Sequence, residues 1–431
     1  MGIKKIGLRW WMISLIMLGS VINYLARSTL GVAAPTMMED LKMSAVEYSY
    51  VLTGFKLTYL AQPLAGFIMD VVGLRLGFTI MAALWSIAAI VHGFVGSWQQ
   101  LFFARTLLGL PESSVNAAGV KASAEWFPAK ERGMAAGVFN IGASLGSMIA
   151  PPLVVWAILY HNWQFAFIIT GAIGIVWSII FFSFFSTPEK SKYLSNEERT
   201  YIRSGQEAFL QDDVKRPSVK GIIIKRNFWG IAIPRFLADP TWSTLSFWVP
   251  LYLTTVRHMN LSEIAMFAWM PFLAADLGCI FGGMVSGRLI NKYRISVINA
   301  RRWTFTLGAV LMLGMPFVGF VENSYVAVAL LCLGGFAHQT LSVQVITMAS
   351  DLFRKGEVAT AAGCAGTMSG LGTLLFGLAV GALVVSLGYE LVFVLLALFD
   401  VLGAVVLWTV VRDPNARLAG SEARALPAWS A

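Results

Sequence analysis

Residues 163–186 read WQFAFIITGAIGIVWSIIFFSFFS and contain no Asp, Glu, Lys or Arg. About 20 apolar residues in a helix cross the hydrocarbon core of a bilayer. The runs Phe165–Ile169 and Ile175–Phe182 do not alternate in polarity. A membrane barrel would be built of alternating segments of roughly ten residues, so a barrel is rejected. Reading outward in both directions, comparable blocks recur near residues 10–34, 48–69, 76–96, 100–120, 133–157, 229–256, 263–286, 298–320, 325–348, 357–385 and 388–411. The expected fold is therefore an all-α membrane protein with about twelve transmembrane helices. Composition agrees: 13% of residues are charged, against roughly 25% in soluble domains.

The three cysteines, Cys279, Cys332 and Cys364, lie in apolar blocks without CxxC spacing. They read as small buried hydrophobes rather than a metal site or a disulfide framework. No cofactor is expected. The first apolar block follows Lys4, Lys5 and Arg9, but it is too long for the core of a signal peptide and lacks a small-residue cleavage site. The net charge of +9 is unevenly placed. With the N-terminus inside, 26 of the 32 Lys and Arg fall on inside segments, and only Lys42 and Arg257 on outside loops. Cytoplasmic loops carry such an excess. The basic balance is thus topological, not a nucleic-acid footprint; both termini are expected in the cytoplasm, with membrane lipid as the protein's surroundings.

The longest polar stretch, near 187–227, divides the chain into six blocks and six blocks. Expected boundaries are 1–188 for the first bundle, 189–228 for a cytoplasmic linker, 229–412 for the second bundle and 413–431 for a tail. Ser195-Asn196-Glu197-Glu198 in the linker resembles a helix start. A shift of 226 residues superposes Phe127 on Phe353, Glu131 on Glu357, Ala135-Ala136-Gly137 on Ala361-Ala362-Gly363, Leu145-Gly146 on Leu371-Gly372, and Gly109 on Gly335. Parallel six-helix repeats about a midplane site are a transporter architecture, in which one half rocks against the other.

Ionisable residues within spans mark function by default. They are Arg27, Lys56, Arg105, Arg235, Glu112, Asp239, Asp276 and Asp400. The first half sets Arg27, Lys56 and Arg105 against Glu112 alone. Such a positive cavity calls for an anion, the expected substrate. Arg105 and Glu112, seven residues apart, lie near one helix face about 10 Å apart along the axis. They share a cavity without being locked as a direct pair. Glu112 is the candidate proton carrier: ionised, it competes for the cations; protonated, it leaves them to the substrate. The alternative is a fixed buried salt bridge. Arg235 and Asp239 have the spacing of an intrahelical ion pair, read as structural or gating. Asp276 and Asp400 have no obvious local partner.

Neutral groups suggest a second wall. Trp242, Trp248 and Tyr252 lie on the seventh block; His338, Gln339, Ser342 and Gln344 lie on the tenth. Hydroxyls want such donors and acceptors, so the division suits a polyhydroxylated acid. The plain alternatives are interfacial tryptophan and a hydrogen-bonded buried histidine.

Gly66-x-x-x-Asp70-x-x-Gly73-x-Arg75 lies between the second and third blocks. A turn with one acid and one base suits a cytoplasmic gate, where Asp70 can face a helix N-terminus. The motif resembles the signature loop of the major facilitator superfamily. The corresponding second-half loop, residues 283–288, lacks the acid. Further pieces are Asn23-Tyr24-Leu25-Ala26-Arg27, Phe55-x-x-x-Tyr59-x-x-Gln62, Arg105-x-x-x-Gly109-x-x-Glu112, Glu125-Trp126-Phe127-Pro128 with Glu131-Arg132, and Arg235-Phe236-x-x-Asp239-Pro240-x-Trp242. With these, nearly the whole chain resembles the superfamily's anion:cation symporters. Residues 139–152 and 263–271 are similar to its hexuronate-transporting bacterial members. The resemblance implies import of glucuronate and galacturonate with protons. It implies that Arg27 and Arg105 hold the substrate carboxylate, that Tyr59 contacts substrate, and that Glu112 takes the proton; Tyr24, in the same motif as Arg27, is a further candidate contact. Many such symporters carry an aspartate just before the first arginine; here it is Ala26, so one proton per substrate is expected. Lys56 adds a cation one turn from Tyr59.

Rival readings are the same fold carrying an aldonate, aldarate or monocarboxylate, and a sugar-acid receptor that does not transport. An enzyme is disfavoured, because arginines and a glutamate without a nucleophile motif, metal cluster or phosphate loop fit binding better than turnover.

Overall fold

The computed structural model describes residues 7–206, 217–247, 249, 252–253, 256–259, 267 and 269–413. Trp248, residues 263–266 and 268, linker residues 207–216, Lys4, Lys5, and the tail with Arg417 and Arg424 lie outside the described residues.

The described chain is helical. Among the described residues, eight helices or helix stretches are long and apolar enough to cross a membrane. They include α1 (Leu8–Asp40), α4 (Leu74–His92), α7 (Ala129–Tyr160) and α8 (Trp163–Phe184). In the second half they are α13 (Met270–Asn291), α15 (Ser324–Leu352) and two stretches of α16 (Val358–Val410), Val358–Gly377 and Gly388–Val410. Gly388, at φ 79°, breaks α16 between them in a backbone conformation that glycine adopts without strain. The remaining apolar blocks are interrupted or short helices: α2 (Ala45–Tyr59) with α3 (Gln62–Val72), α5 (Trp98–Glu112) with α6 (Ser114–Trp126), α11 (Arg226–Ala238) with α12 (Pro240–Phe247), and α14 (Val297–Met312). Prolines mark the three interruptions: Pro63 just past the first, Pro111 just before the second, and Pro240 at the third. Each lacks an N–H and crowds the preceding turn.

Local chemistry sets other boundaries. Ser44 and Glu47 form a reciprocal capping box at α2. Asn162 caps α8. In the linker, Ser195 accepts from the Glu198 N–H and starts α9 (Asn196–Ser204), as its sequence suggests. A second linker helix, α10 (Val219–Ile223), precedes α11. Glu198 then accepts from Arg9 at 2.7 Å, and Arg9 also reaches Glu131 at 2.9 Å. Tyr201 donates to Glu131 at 2.5 Å. Burial, with that bond to Glu131, pushes the phenol up to about 12, so it stays a donor at neutral pH. The linker is thereby pinned to the starts of α1 and α7.

Packing repeats with the sequence. In the first half α1 lies on α7, α2 on α5 and α4 on α8; in the second α11 lies on α16, α13 on α15 and α14 on α16. Contact between halves runs through α7 with α13 and α3 with α16. Glycines that superpose under the 226-residue shift occupy equivalent contacts. A methyl on Gly146 would strike the Val21 carbonyl, and one on Gly372 the Phe236 carbonyl. Gly109 and Gly335 do the same against Phe55 and Pro271, and Gly137 and Gly363 against Cys279 and Gln62. Small residues allow such close backbone approach between membrane helices. Gly372→Val should destabilise the α11–α16 contact by about 1–3 kcal/mol, the usual cost of overpacking. Gly377→Val, where an added methyl meets nothing within 4 Å, should not. Thermal unfolding in detergent compares the two; equal midpoints would refute the packing role.

Candidate substrate and coupling site

Three interruptions place three candidates at helix ends near the middle of the chain's spans. Tyr59 ends α2, Glu112 ends α5, and Asp239 follows the last residue of α11. Interrupted helices with polar groups at the break are where membrane transporters build binding sites.

Glu112 is fully buried and Arg27 donates to it from Nε at 3.0 Å. Asn23 supports both: its amide oxygen accepts from Arg27 Nη2 at 3.1 Å, and its nitrogen donates to the Glu112 carbonyl at 3.3 Å. The Arg27 guanidinium carbon stands 4.5 Å from the Tyr24 ring centroid, 4.8 Å from Tyr59 and 5.4 Å from Phe55. Aromatic faces stabilise a desolvated cation. Arg105 donates from Nη2 to the Arg27 carbonyl at 3.0 Å and lies 5.1 Å from the same Phe55 ring. Its Nε and Nη1 are buried without a hydrogen-bond partner among the described residues, as is one oxygen of Glu112. The direct pair is therefore Arg27–Glu112, with Arg105 beside it. Two cations face one carboxylate.

The Arg27 side chain keeps 22% exposure. Four residues further along α1, Gly31 is exposed, with open space where a side chain would be. Both lie on α1 on the side of Glu112 away from the end of the bundle that carries the basic loops, as α1 begins at that end.

The second-half candidates are assembled only in part. Arg235 pairs with Asp239 at 3.1 Å, the intrahelical contact their spacing predicts, and Ser369 of α16 also donates to Asp239. Trp242 stacks at 6.5 Å on His338, and Gln339 accepts from Asn140 of α7 at 3.2 Å, across the two halves. Ser342 is buried one turn further along α15. Tyr252 lies elsewhere: fully buried, it donates to the Val318 carbonyl, receives Arg257 at 2.6 Å and packs on Tyr389 and Phe393. Lys56 is exposed on α2, and Phe55 takes the place against both guanidinium groups. The sequence reading gave no role to Asn23, Phe55, Asn140 or Ser369, although the first three lie within the motifs it quoted.

At the basic end the halves are tied by buried charge. Asp70 accepts from Lys121 at 2.6 Å, and from the Thr360 N–H and hydroxyl, both at 2.7 Å. It therefore does face a helix N-terminus, that of α16. Arg75 turns away from Asp70 and donates to the Phe182 carbonyl at 2.7 Å. Asp351 receives both Arg132 at 2.9 Å and Arg301 at 3.0 Å, and all three side chains are at most 1% exposed. Arg301 also reaches the Ala129 carbonyl across the interface.

The Major Facilitator Superfamily model matches residues 16–300 and 277–431. The chain belongs to the major facilitator superfamily. Members similar to it include the hexuronate transporter of Escherichia coli strain K12, 49% identical over 412 residues and covering 95% of each chain. The galacturonate transporter of Dickeya chrysanthemi is 47% identical over 325 residues, 75% of this chain and 94% of that one. Among solved structures, the human organic anion transporter MFSD10 (TETRAN) superposes with a TM-score of 0.70 at 15% identity, over 93% of this chain and 99% of that one. That last likeness bears on the fold alone. As a superfamily member with these spans, the chain is a multi-pass membrane protein.

Proposed function

We propose that the protein imports the hexuronates glucuronate and galacturonate by proton symport. The observation that carries this reading is the cluster of Arg27, Arg105 and Glu112, in which Arg27 holds the one carboxylate and Arg105 keeps two buried donors without a hydrogen-bond partner among the described residues. A substrate carboxylate completes that charge balance. Ionised Glu112 holds Arg27 for itself; protonated Glu112 releases Arg27 to the substrate. Proton and anion therefore enter together. The names of the two bacterial relatives support a hexuronate as the anion. Tyr24 and Tyr59 flank the carboxylate, while Trp242, His338, Gln339 and Ser342 meet the hydroxyl groups.

The basic end is cytoplasmic by the distribution of Lys and Arg, so both termini are cytoplasmic and the membrane is the bacterial inner membrane. The halves 1–188 and 229–412 rock about the site, joined by linker 189–228 and followed by tail 413–431. The contacts of Asp70 and Asp351 seal the cytoplasmic end and must break on the inward swing, with Arg75 bracing the end of α8.

The test is uptake of labelled galacturonate into proteoliposomes, with and without an inward proton gradient. Wild-type protein should accumulate substrate only with the gradient, and Glu112→Gln should retain downhill exchange while losing the part of the accumulation that its proton drives. Absence of both exchange and accumulation for either hexuronate would sink the substrate assignment. Wild-type accumulation by Glu112→Gln would sink its role as proton carrier.

A further inference from the structure

Coupling through Glu112 leaves the deeply placed acids Asp276 and Asp400 unused. Asp400 of α16 is fully buried, and neither of its carboxyl oxygens has a hydrogen-bond partner among the described residues. Its surroundings can be read from the packing. One turn on, a methyl at Gly403 would lie 3.5 Å from Pro234 of α11 and about as close to Phe305 of α14. The end of α16 and α11 run in opposite directions. The turn from Gly403 back to Asp400 is thus level with the turn from Pro234 to Ala238, next to Asp239. From α11 come Arg235 and Asp239. From the first stretch of α16 comes Ser369, which donates to Asp239. From α15 comes His338, buried and stacked on Trp242. Helix α14 carries no titratable residue between Arg302 and its end at Met312. Asp239 is the charged neighbour that acts on Asp400.

Two carboxyl groups and one guanidinium therefore sit together in a water-poor bundle. Two neighbouring like charges in such surroundings resist being ionised together, which favours one proton shared between the two acids. The two acids are not equivalent. Asp239 keeps 14% exposure, whereas Asp400 is sealed. Asp239 is thus the access point from the central space, and Asp400 lies behind it.

We propose that Asp239 and Asp400 form a second proton-binding site, in the C-terminal half, filled and emptied through Asp239 in each transport cycle. Filled, the site holds one proton, one carboxylate and Arg235, and is neutral. Emptied toward the cytoplasm, it carries one negative charge and refills from outside. Its coupling role rests on the proposed symport; its occupancy by a proton does not.

Infrared titration of the substrate-free protein in lipid tests occupancy directly. A protonated-carboxyl C=O band should titrate in wild-type protein, vanish in Asp400→Asn, shift in Asp239→Asn and persist in Asp400→Glu. A band pattern unchanged by both asparagine substitutions overturns the proposal, and the Asp239 variant decides it if Asp400→Asn does not fold. With the membrane potential clamped at zero, two coupled protons raise the accumulation ratio about a hundredfold per pH unit of gradient, and one proton about tenfold. Wild-type protein should follow the first relation and Asp400→Asn the second. A wild-type response of about tenfold overturns the second site while leaving symport intact. Failure of the hexuronate reading shows separately, as no accumulation in wild type, and the infrared titration then decides the site alone.

Discussion

Arg105→Gln should reduce hexuronate uptake to background. Arg105 is 3% exposed and spends one nitrogen on the Arg27 carbonyl, leaving Nε and Nη1 with no hydrogen-bond partner among the described residues. Those are the donors a substrate carboxylate would engage. Truncating one partner of a buried, hydrogen-bonded charge pair costs about 2–5 kcal/mol. At about 1.4 kcal/mol per factor of ten, affinity should fall roughly thirtyfold to a few thousandfold. Arg105→Lys keeps the charge but loses the planar fork, so it should recover only part of the loss. Calorimetric binding of galacturonate measures both variants. Wild-type affinity in Arg105→Gln would reduce Arg105 to a tie between α5 and the α1 backbone.

Asp351→Asn should open the basic end. Arg132 and Arg301 approach Asp351 from α7 and α14, and all three are sealed from water. Removing the shared acid leaves two buried guanidinium groups uncompensated, at about 3–5 kcal/mol for a broken buried pair. The open state lets both arginines rehydrate, so the loss falls mainly on the closed state. A bias of about 3 kcal/mol inverts an equilibrium that favours closure by a hundredfold or less. Spin labels at Val72 and Tyr293, both exposed at that end, report the distance between halves. Electron–electron resonance should show a longer distance in Asp351→Asn. An unchanged distribution would mean that the triad is not what holds this end shut.

Much of this arrangement was legible because the signals are local or additive. Apolar blocks sum over some twenty residues, and the eight spans among the described residues follow eight of the twelve expected blocks closely, the other four being interrupted or short. The Arg235–Asp239 pair, the Ser195 cap and the acid at the start of α16 each depend on short spacing or on one strong electrostatic preference. The Asp351 triad was not legible, because its residues come from three separate helices. Arg301 counted only as a loop charge, Arg132 as a loop charge within a quoted motif, and Asp351 ends a span whose polar middle drew attention instead. Periodicity says which residues share a face but not what the face meets. Lys56 and Tyr59 lie near one another on α2, yet Phe55 meets the arginines. Tyr252, matched to Ala26 by the 226-residue shift, is held by Arg257 and the Val318 carbonyl. The helix interruptions were foreshadowed by Pro63, Pro111 and Pro240, a signal the span count absorbed.

The Asp70 contact exists in one copy. Its counterpart loop, residues 283–288, has no acid, so the repeat is symmetric in packing but not in its latch. In the proposed orientation, an idle molecule waits with its mouth toward the medium and its back door bolted. Capture of a scarce sugar acid then depends on how often the solute arrives, not on how often the protein happens to turn. The bolted door also keeps an unloaded carrier from bleeding away the gradient that the cell maintains at a cost.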